Sequence, residues 1–353
     1  MAIELIASFV LAFSLCYVSM PSIIRIAKRS GIVDVPSERK AHKSITPSFG
    51  GIGIFVSTVL VTLLLIPAGA LHEIRYVLAA LAIIFLVGAR DDLDPLTPTA
   101  KLLGQLLGVA LLIFFAGIRL TSLYGLFGIY ELPEVYSILL TATAFIFLIN
   151  SFNLIDGIDA LCGSISVFIL GAAGIWFYLA GDIPFALLAL TSAGGTLAFL
   201  RYNISPSKIF MGDTGSLVLG TICTVLVIRF METAHVVSFV NISSVSTIAI
   251  GLLMLPAFDT IRVFSLRIWQ GRSPFDPDKT HLHHLLLQTG LSHIQSSVVL
   301  LITTICFFVL SLQLQELAPT SFMILAAIIA TFFTLCIHLT IAIRSSQSLR
   351  TDP

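Results

Sequence analysis

Long apolar runs recur along nearly the whole chain, and they leave few architectures open. In hydrocarbon every backbone N–H and C=O must be satisfied internally, so runs of roughly 20 apolar residues are read as spanning helices. Eleven spans are expected, near residues 2–24, 48–67, 75–90, 102–118, 135–152, 161–180, 184–200, 215–231, 243–265, 295–312 and 320–342. The expected fold class is therefore all-α. It is a polytopic membrane helix bundle, one integral membrane domain over residues 1–353, with 343–353 as a short tail. Composition agrees: 57% of residues are apolar and only 11% charged, against roughly 25% charged in soluble domains. No nucleic-acid partner is expected of such a chain.

Charge fixes the expected orientation. No basic residue precedes the first apolar run, whereas Arg25, Lys28 and Arg29 follow it. That run is expected to stay in the protein with its N-terminus outside. Alternating the loops across eleven spans puts 16 of the 19 Lys and Arg on one side, leaving Arg75, Arg119 and Arg229 on the other. By the positive-inside rule the basic side is cytoplasmic, and so is the C-terminus. Eleven of twelve Asp share that side, whereas six of seven Glu lie opposite. Asp, with one fewer rotatable bond, suits a rigid cation or phosphate site, so the cytoplasmic face is the expected working face. The five cysteines lack metal-type spacing and read as packing residues.

Five loops on that face carry nearly all the unusual sequence. GIVDVPSERKAHKSITPSFGG (Gly31 to Gly51) is basic, and reads either as a lipid anchor or as a phosphate-binding loop. GARDDLDPLTPTAK (Gly88 to Lys101) sets Asp91 and Asp92 against apolar sequence, where carboxylates are costly. In NSFNLIDGID (Asn150 to Asp159), a helix would align Asn150, Asn153 and Asp156 along one stripe, and Gly157 would let other atoms approach it. SKIFMGDTGS (Ser207 to Ser216) places Asp213 between glycines at the start of a span, where it either caps a helix or joins exposed N–H groups in receiving a metal-bound phosphate. In RSPFDPDKTHLHHLLLQTG (Arg272 to Gly290), Thr280 and Gly290 bracket an expected short helix over 281–289. At 100° per residue, His281, His284 and Gln288 would fall within about 60° of one another and face the site. Carboxylates, carboxamides, imidazoles and basic groups under one cavity equip a protein for metal-assisted chemistry on a phosphorylated substrate. The hard oxygen ligands favour magnesium or manganese over zinc.

Taken in order from about residue 25 to residue 290, these motifs resemble the polyprenyl-phosphate N-acetylhexosamine-1-phosphate transferases. The SPFDPDKTHLHH stretch looks like the WecA-type branch, which starts lipid-linked surface polysaccharides such as O-antigen in lipopolysaccharide biosynthesis. The resemblance implies transfer of GlcNAc-1-phosphate from the UDP-sugar to undecaprenyl phosphate, giving undecaprenyl-diphospho-sugar and UMP, with Mg2+ or else Mn2+, in the bacterial cytoplasmic membrane. By the same resemblance Asp213 binds the metal, and Asp91 and Asp92 lie beside the reacting phosphates. Asn153, Asp156 and Asp159 line the nucleotide and metal region, with Asp159 near the uracil. Phe210 stacks on the uracil, His281, His283 and His284 hold the donor diphosphate, and Lys43 lies near the donor. Ala160 stands where many members have glycine, and a shape effect at most is expected.

A phosphate monoester with a second pKa near 6 is largely dianionic at neutral pH, so the lipid acceptor needs no strong base. Direct in-line attack is therefore expected, with Asp91 positioning or deprotonating the acceptor. UDP-GalNAc or a 6-deoxy-HexNAc donor would need only small changes around the hexose. A membrane transporter is the distant alternative, disfavoured because the ionisable residues cluster at one face rather than at mid-membrane. Membrane lipid is an expected partner, and a homodimer is an open alternative.

Overall fold

The computed structural model describes residues 2–31, 33–34, 46–234, 242–273 and 279–351. Among these described residues twelve α-helices follow one another: α1 (Ala2–Arg29), α2 (Gly51–Leu65), α3 (Leu71–Leu93), α4 (Pro98–Phe114), α5 (Glu134–Ile155), α6 (Leu161–Ala180), α7 (Ile183–Asn203), α8 (Gly212–Thr233), α9 (Val245–Trp269), α10 (Leu282–Gln288), α11 (His293–Gln313) and α12 (Pro319–Thr351). Each of the eleven expected spans falls on one of these helices. The additional one, α10, is the short helix expected between residues 281 and 289. Among the described residues eight helices are long and apolar enough to cross a membrane, and α2 and α4 are shorter apolar helices. The chain is a polytopic helical membrane protein.

Two boundaries differ from expectation in a way that matters. Helix α3 runs through Asp91 and Asp92 to Leu93 instead of stopping near residue 90. Its last turn closes because the Asp94 N–H donates to the Arg90 carbonyl at 3.0 Å, and the Arg90 guanidinium folds onto the Asp94 carboxylate at 2.8 Å. Helix α5 likewise carries Asn150 and Asn153 in its final turns and hands over to Asp156 as C-cap. These polar groups thus project from rigid helix ends rather than from loops.

Helix α8 forms the centre of the bundle, packing against α2, α3, α5 and α6, with nearly every residue from Thr214 to Ile228 buried. Its N-terminal turn is approached at backbone distance on two sides. A methyl group on Gly51 would lie 2.1 Å from the Gly215 nitrogen, and one on Gly88 would lie 2.6 Å from the Asp213 carbonyl oxygen. Small residues at such crossings let helices gain van der Waals contact where the hydrophobic effect offers no driving force. Around this centre, α1 packs on α7 and α2, and α9 packs on α5, α11 and α12. Before α2, a two-residue strand β1 (Val33–Asp34) pairs antiparallel with β2 (Thr46–Pro47). Cys16, Cys162 and Cys223 are buried packing residues as expected, but Cys306 and Cys336 lie exposed on outward helix faces.

Candidate active site

Successive helices run in opposite directions, so the ends of α3, α5 and α9 and the starts of α4, α6, α8 and α11 meet at one end of the bundle. There the motifs assemble into two adjoining clusters.

The first surrounds the start of α8. Lys101 of α4 pairs with the Asp213 carboxylate and also reaches Asp91 at 3.3 Å, so one ammonium bridges carboxylates from α3 and α8. Asp91 is further held by the Leu96 N–H at 2.7 Å. From α5, the Asn153 amide donates to the other Asp213 oxygen at 2.8 Å and to Ser216 Oγ at 2.9 Å. Asn150 pairs instead with Gln105 of α4, at 2.9 Å, one turn deeper. Asp92 has a different role from its neighbour. Its carboxylate accepts the Asp213 N–H at 2.9 Å, the Thr214 N–H at 3.0 Å and the Thr214 hydroxyl. Asp92 therefore caps α8 from outside, satisfying amides that have no partner within the helix. That frees Asp213, in the first turn, from the capping role its position allowed.

Asp156 stands beside this cluster. Burial, with the charges of Asp213, Asp92 and Asp159 next in weight, pushes its carboxyl well above the ordinary carboxylate range.

The second cluster joins the α5–α6 turn to α9, α10 and α11. Asp159 is buried, its carboxylate 3.3 Å from His293 Nδ1, while its backbone carbonyl accepts the Ser297 hydroxyl at 2.7 Å. Gly157 abuts His283: a methyl group there would sit 2.2 Å from His283 Nε2. The approach expected at this glycine is thus made by an imidazole. His283 packs on His284 at 4.2 Å and on His281 at 5.7 Å between ring centroids. Among the described residues, both nitrogens of the buried His283 ring lack a hydrogen-bond partner, and burial holds its pKa well below that of an ordinary histidine.

Helix α10 begins at Leu282, one residue later than expected, and His281 is its N-cap rather than Thr280. As a result His283, not Gln288, joins His281 and His284, and Gln288 is exposed. The sequence reading missed Lys101 as the bridging cation, His293 as the partner of Asp159, and Asp259. Asp259 lies well inside the ninth expected span, where an ionisable residue is itself a sign of function. Its carboxylate is 2.9 Å from His281 Nδ1 and 2.7 Å from the Arg262 guanidinium.

The loop before α2 reaches the same end. Phe210 N–H donates to the Pro47 carbonyl at 2.8 Å, and the Phe210 carbonyl accepts the Gly50 N–H at 2.9 Å. Lys43 lies outside the described residues. Ala160 departs from expectation: its φ is +67°, a left-handed conformation that favours glycine, and its N–H is tied to Asn203 Oδ1 at 2.8 Å. The methyl group there acts through backbone strain rather than through shape.

Among the described residues no three His, Cys, Asp or Glu side chains converge as a ready metal cage. What converges is the pair Asp91 and Asp213, drawn together by Lys101. Magnesium is usually held by one or two carboxylates with substrate phosphates and water completing the shell, so this oxygen pair fits the ion.

Residues 74–231 match the family described as Glycosyl transferase family 4. A protein of Bacillus subtilis (strain 168), described as a probable undecaprenyl-phosphate N-acetylglucosaminyl 1-phosphate transferase, is 33% identical over 89% of this chain and 86% of its own length. The undecaprenyl-phosphate alpha-N-acetylglucosaminyl 1-phosphate transferase of Yersinia pestis is 31% identical over 85% of this chain and 80% of its own. The decaprenyl-phosphate N-acetylglucosaminephosphotransferase of Mycolicibacterium smegmatis is 33% identical over 76% and 71%.

Proposed function

Because the chain belongs to glycosyl transferase family 4, as a membrane-embedded sugar-1-phosphate transferase, we propose that it moves GlcNAc-1-phosphate from UDP-GlcNAc to undecaprenyl phosphate. The observation that carries this reading is the paired Asp91 and Asp213 under Lys101, set beside a histidine cluster at one end of the bundle. One half can manage charge on phosphates, and the other offers ring nitrogens of His281 and His283 that have no hydrogen-bond partner among the described residues.

The acceptor's phosphate oxygen attacks the sugar-bearing β-phosphorus of the donor. A new P–O bond forms, the bond to the α-phosphate oxygen breaks, and UMP leaves with that oxygen. Asp91 orients the acceptor phosphate and takes any proton it retains. Lys101 balances charge between the two phosphates, and Asn153 fixes the rotamer of Asp213. Asp213 with Asp91 would hold Mg2+ or Mn2+, and such an ion, when bound, neutralises the diphosphate. His281, His283 and His284 contact the donor's diphosphate. Asp156 and Asp159 line the nucleotide end, with Phe210 against the uracil and Lys43 near the donor. The reacting end faces the cytoplasm in the bacterial inner membrane, with the N-terminus outside, and the product starts a lipid-linked surface polysaccharide.

The test is radiolabel transfer by purified protein from UDP-GlcNAc to undecaprenyl phosphate, with and without magnesium, beside Asp213→Asn. Metal-dependent lipid labelling that disappears in the variant supports the reading. Labelling only from UDP-GalNAc or a 6-deoxy-HexNAc donor keeps the reaction and changes the sugar. Silence with every UDP-sugar in folded protein, with substrate flux into liposomes, returns the transporter.

A further inference from the structure

Asp259 projects from α9 into the space beneath α10 and is only 2% exposed. One carboxylate oxygen accepts the Leu282 N–H at 3.0 Å and the Arg262 guanidinium at 2.7 Å. The other oxygen faces His281 Nδ1 at 2.9 Å. A carboxylate only accepts, so the proton of that contact belongs to Nδ1. The second nitrogen, Nε2, is then the one turned away from Asp259. It is buried, and among the described residues it has no hydrogen-bond partner. Buried polar atoms are nearly always paired, and one that is not has a role to explain. The Asp259 side chain is itself locked, since Arg262 also donates to the Thr280 carbonyl and so ties α9 to the turn entering α10.

We infer that Asp259 is a positioning residue for the donor substrate: it fixes the ring orientation and tautomer of His281 so that Nε2 meets the diphosphate of the bound nucleotide-sugar. A carboxylate on the far nitrogen also supplies the counter-charge that lets Nε2 carry a proton toward a phosphate oxygen. Such partners orient ligating imidazoles elsewhere, and losing one typically reduces function about 10- to 100-fold. Arg262 completes the arrangement by holding the carboxylate in place. Asp259 touches no reacting atom and works only through His281.

This inference rests on the proposed transfer for the identity of the ligand, and the experiment separates the two. With full-length purified protein, kcat and KM are measured for UDP-GlcNAc and for undecaprenyl phosphate in wild type, Asp259→Asn, His281→Gln and the double variant. The expected result for Asp259→Asn is a loss of about 10- to 100-fold in kcat/KM for the donor, with the lipid KM unchanged. Added to His281→Gln, the same substitution should cost nothing more, because its route is already gone. Folded Asp259→Asn with wild-type donor kinetics, a change confined to the lipid KM, or losses that multiply in the double variant would each overturn the inference. Should Asp259→Asn fail to fold, 15N spectra of histidine-labelled wild type decide, with His281 assigned by its absence in His281→Gln. A protonated Nδ1 is expected, and a ring protonated at Nε2 alone overturns the inference. Absence of transfer from any UDP-sugar by wild type would sink the proposed reaction, while these spectra would still decide whether Asp259 sets the tautomer.

Discussion

Lys101 of α4 and Asp213 of α8 form an ion pair, and the same ammonium lies 3.3 Å from Asp91. Under the proposed reaction the ammonium and a divalent cation would compete for Asp213. Lys101→Met should slow sugar-phosphate transfer by about 100-fold or more, the usual cost of removing a preorganised charge from a phosphoryl-transfer site. It should also lower the magnesium concentration needed for half-maximal rate, since a competing cation is gone. Magnesium titration of the residual activity checks both, and an unchanged or raised requirement would show that Lys101 does not compete at this carboxylate.

Adjacent aspartates should separate cleanly. Asp92 accepts three hydrogen bonds at the start of α8, so Asp92→Ala should lower stability by about 2 kcal/mol. Asp91→Asn should abolish most transfer while leaving the unfolding midpoint near wild type. Thermal unfolding in detergent beside transfer assays distinguishes them, and equal midpoints in the two variants would contradict the assignment.

Gly157→Ala places a methyl group 2.2 Å from His283 Nε2, and the ring, packed on His284, has to shift. Overpacking of this kind costs about 1–3 kcal/mol. The expected consequence is a weaker donor KM with an unchanged lipid KM.

His283 gives a pH dependence with a definite sign. Its folded pKa is depressed, so below about pH 6.5 the unfolded chain binds a proton that the folded chain refuses. Stability is fully present above that pH and falls as the pH drops, by up to about 1.4 kcal/mol per unit. Unfolding midpoints between pH 7 and 5 should therefore slope less steeply in His283→Gln than in wild type.

At Ala160 the left-handed backbone costs a β-carbon roughly 1 kcal/mol. Ala160→Gly should raise the unfolding midpoint and leave transfer within about twofold, which thermal unfolding beside transfer assays checks.

The eleven helices and the polar end of the bundle were legible because hydrocarbon-length apolar runs and charge asymmetry are one-dimensional signals. Asn153, Asp156 and Asp213 were found by helical spacing and flanking glycine. Their partners were not, because pairing across helices leaves no local trace: nothing near Lys101 announces Asp213, 112 residues away. The capping role of Asp92 was hidden for the same reason, since it serves a helix other than its own. Asp259 did leave a trace, a carboxylate within an apolar run, although its partner His281 lies 22 residues further on. The one-residue shift of α10 came from assigning the cap to Thr280, when Asp259 takes the Leu282 amide and ends the turn at His281.

The glycine crossings of α2 and α3 with α8 bear on how such an enzyme diversifies. Where Gly51 and Gly88 meet the first turn of α8, any added side chain collides with backbone, so the seat of Asp213 tolerates almost no drift. The α9–α10 junction is instead held by side-chain contacts such as Arg262 to Asp259, and side chains can be exchanged where a backbone crossing cannot.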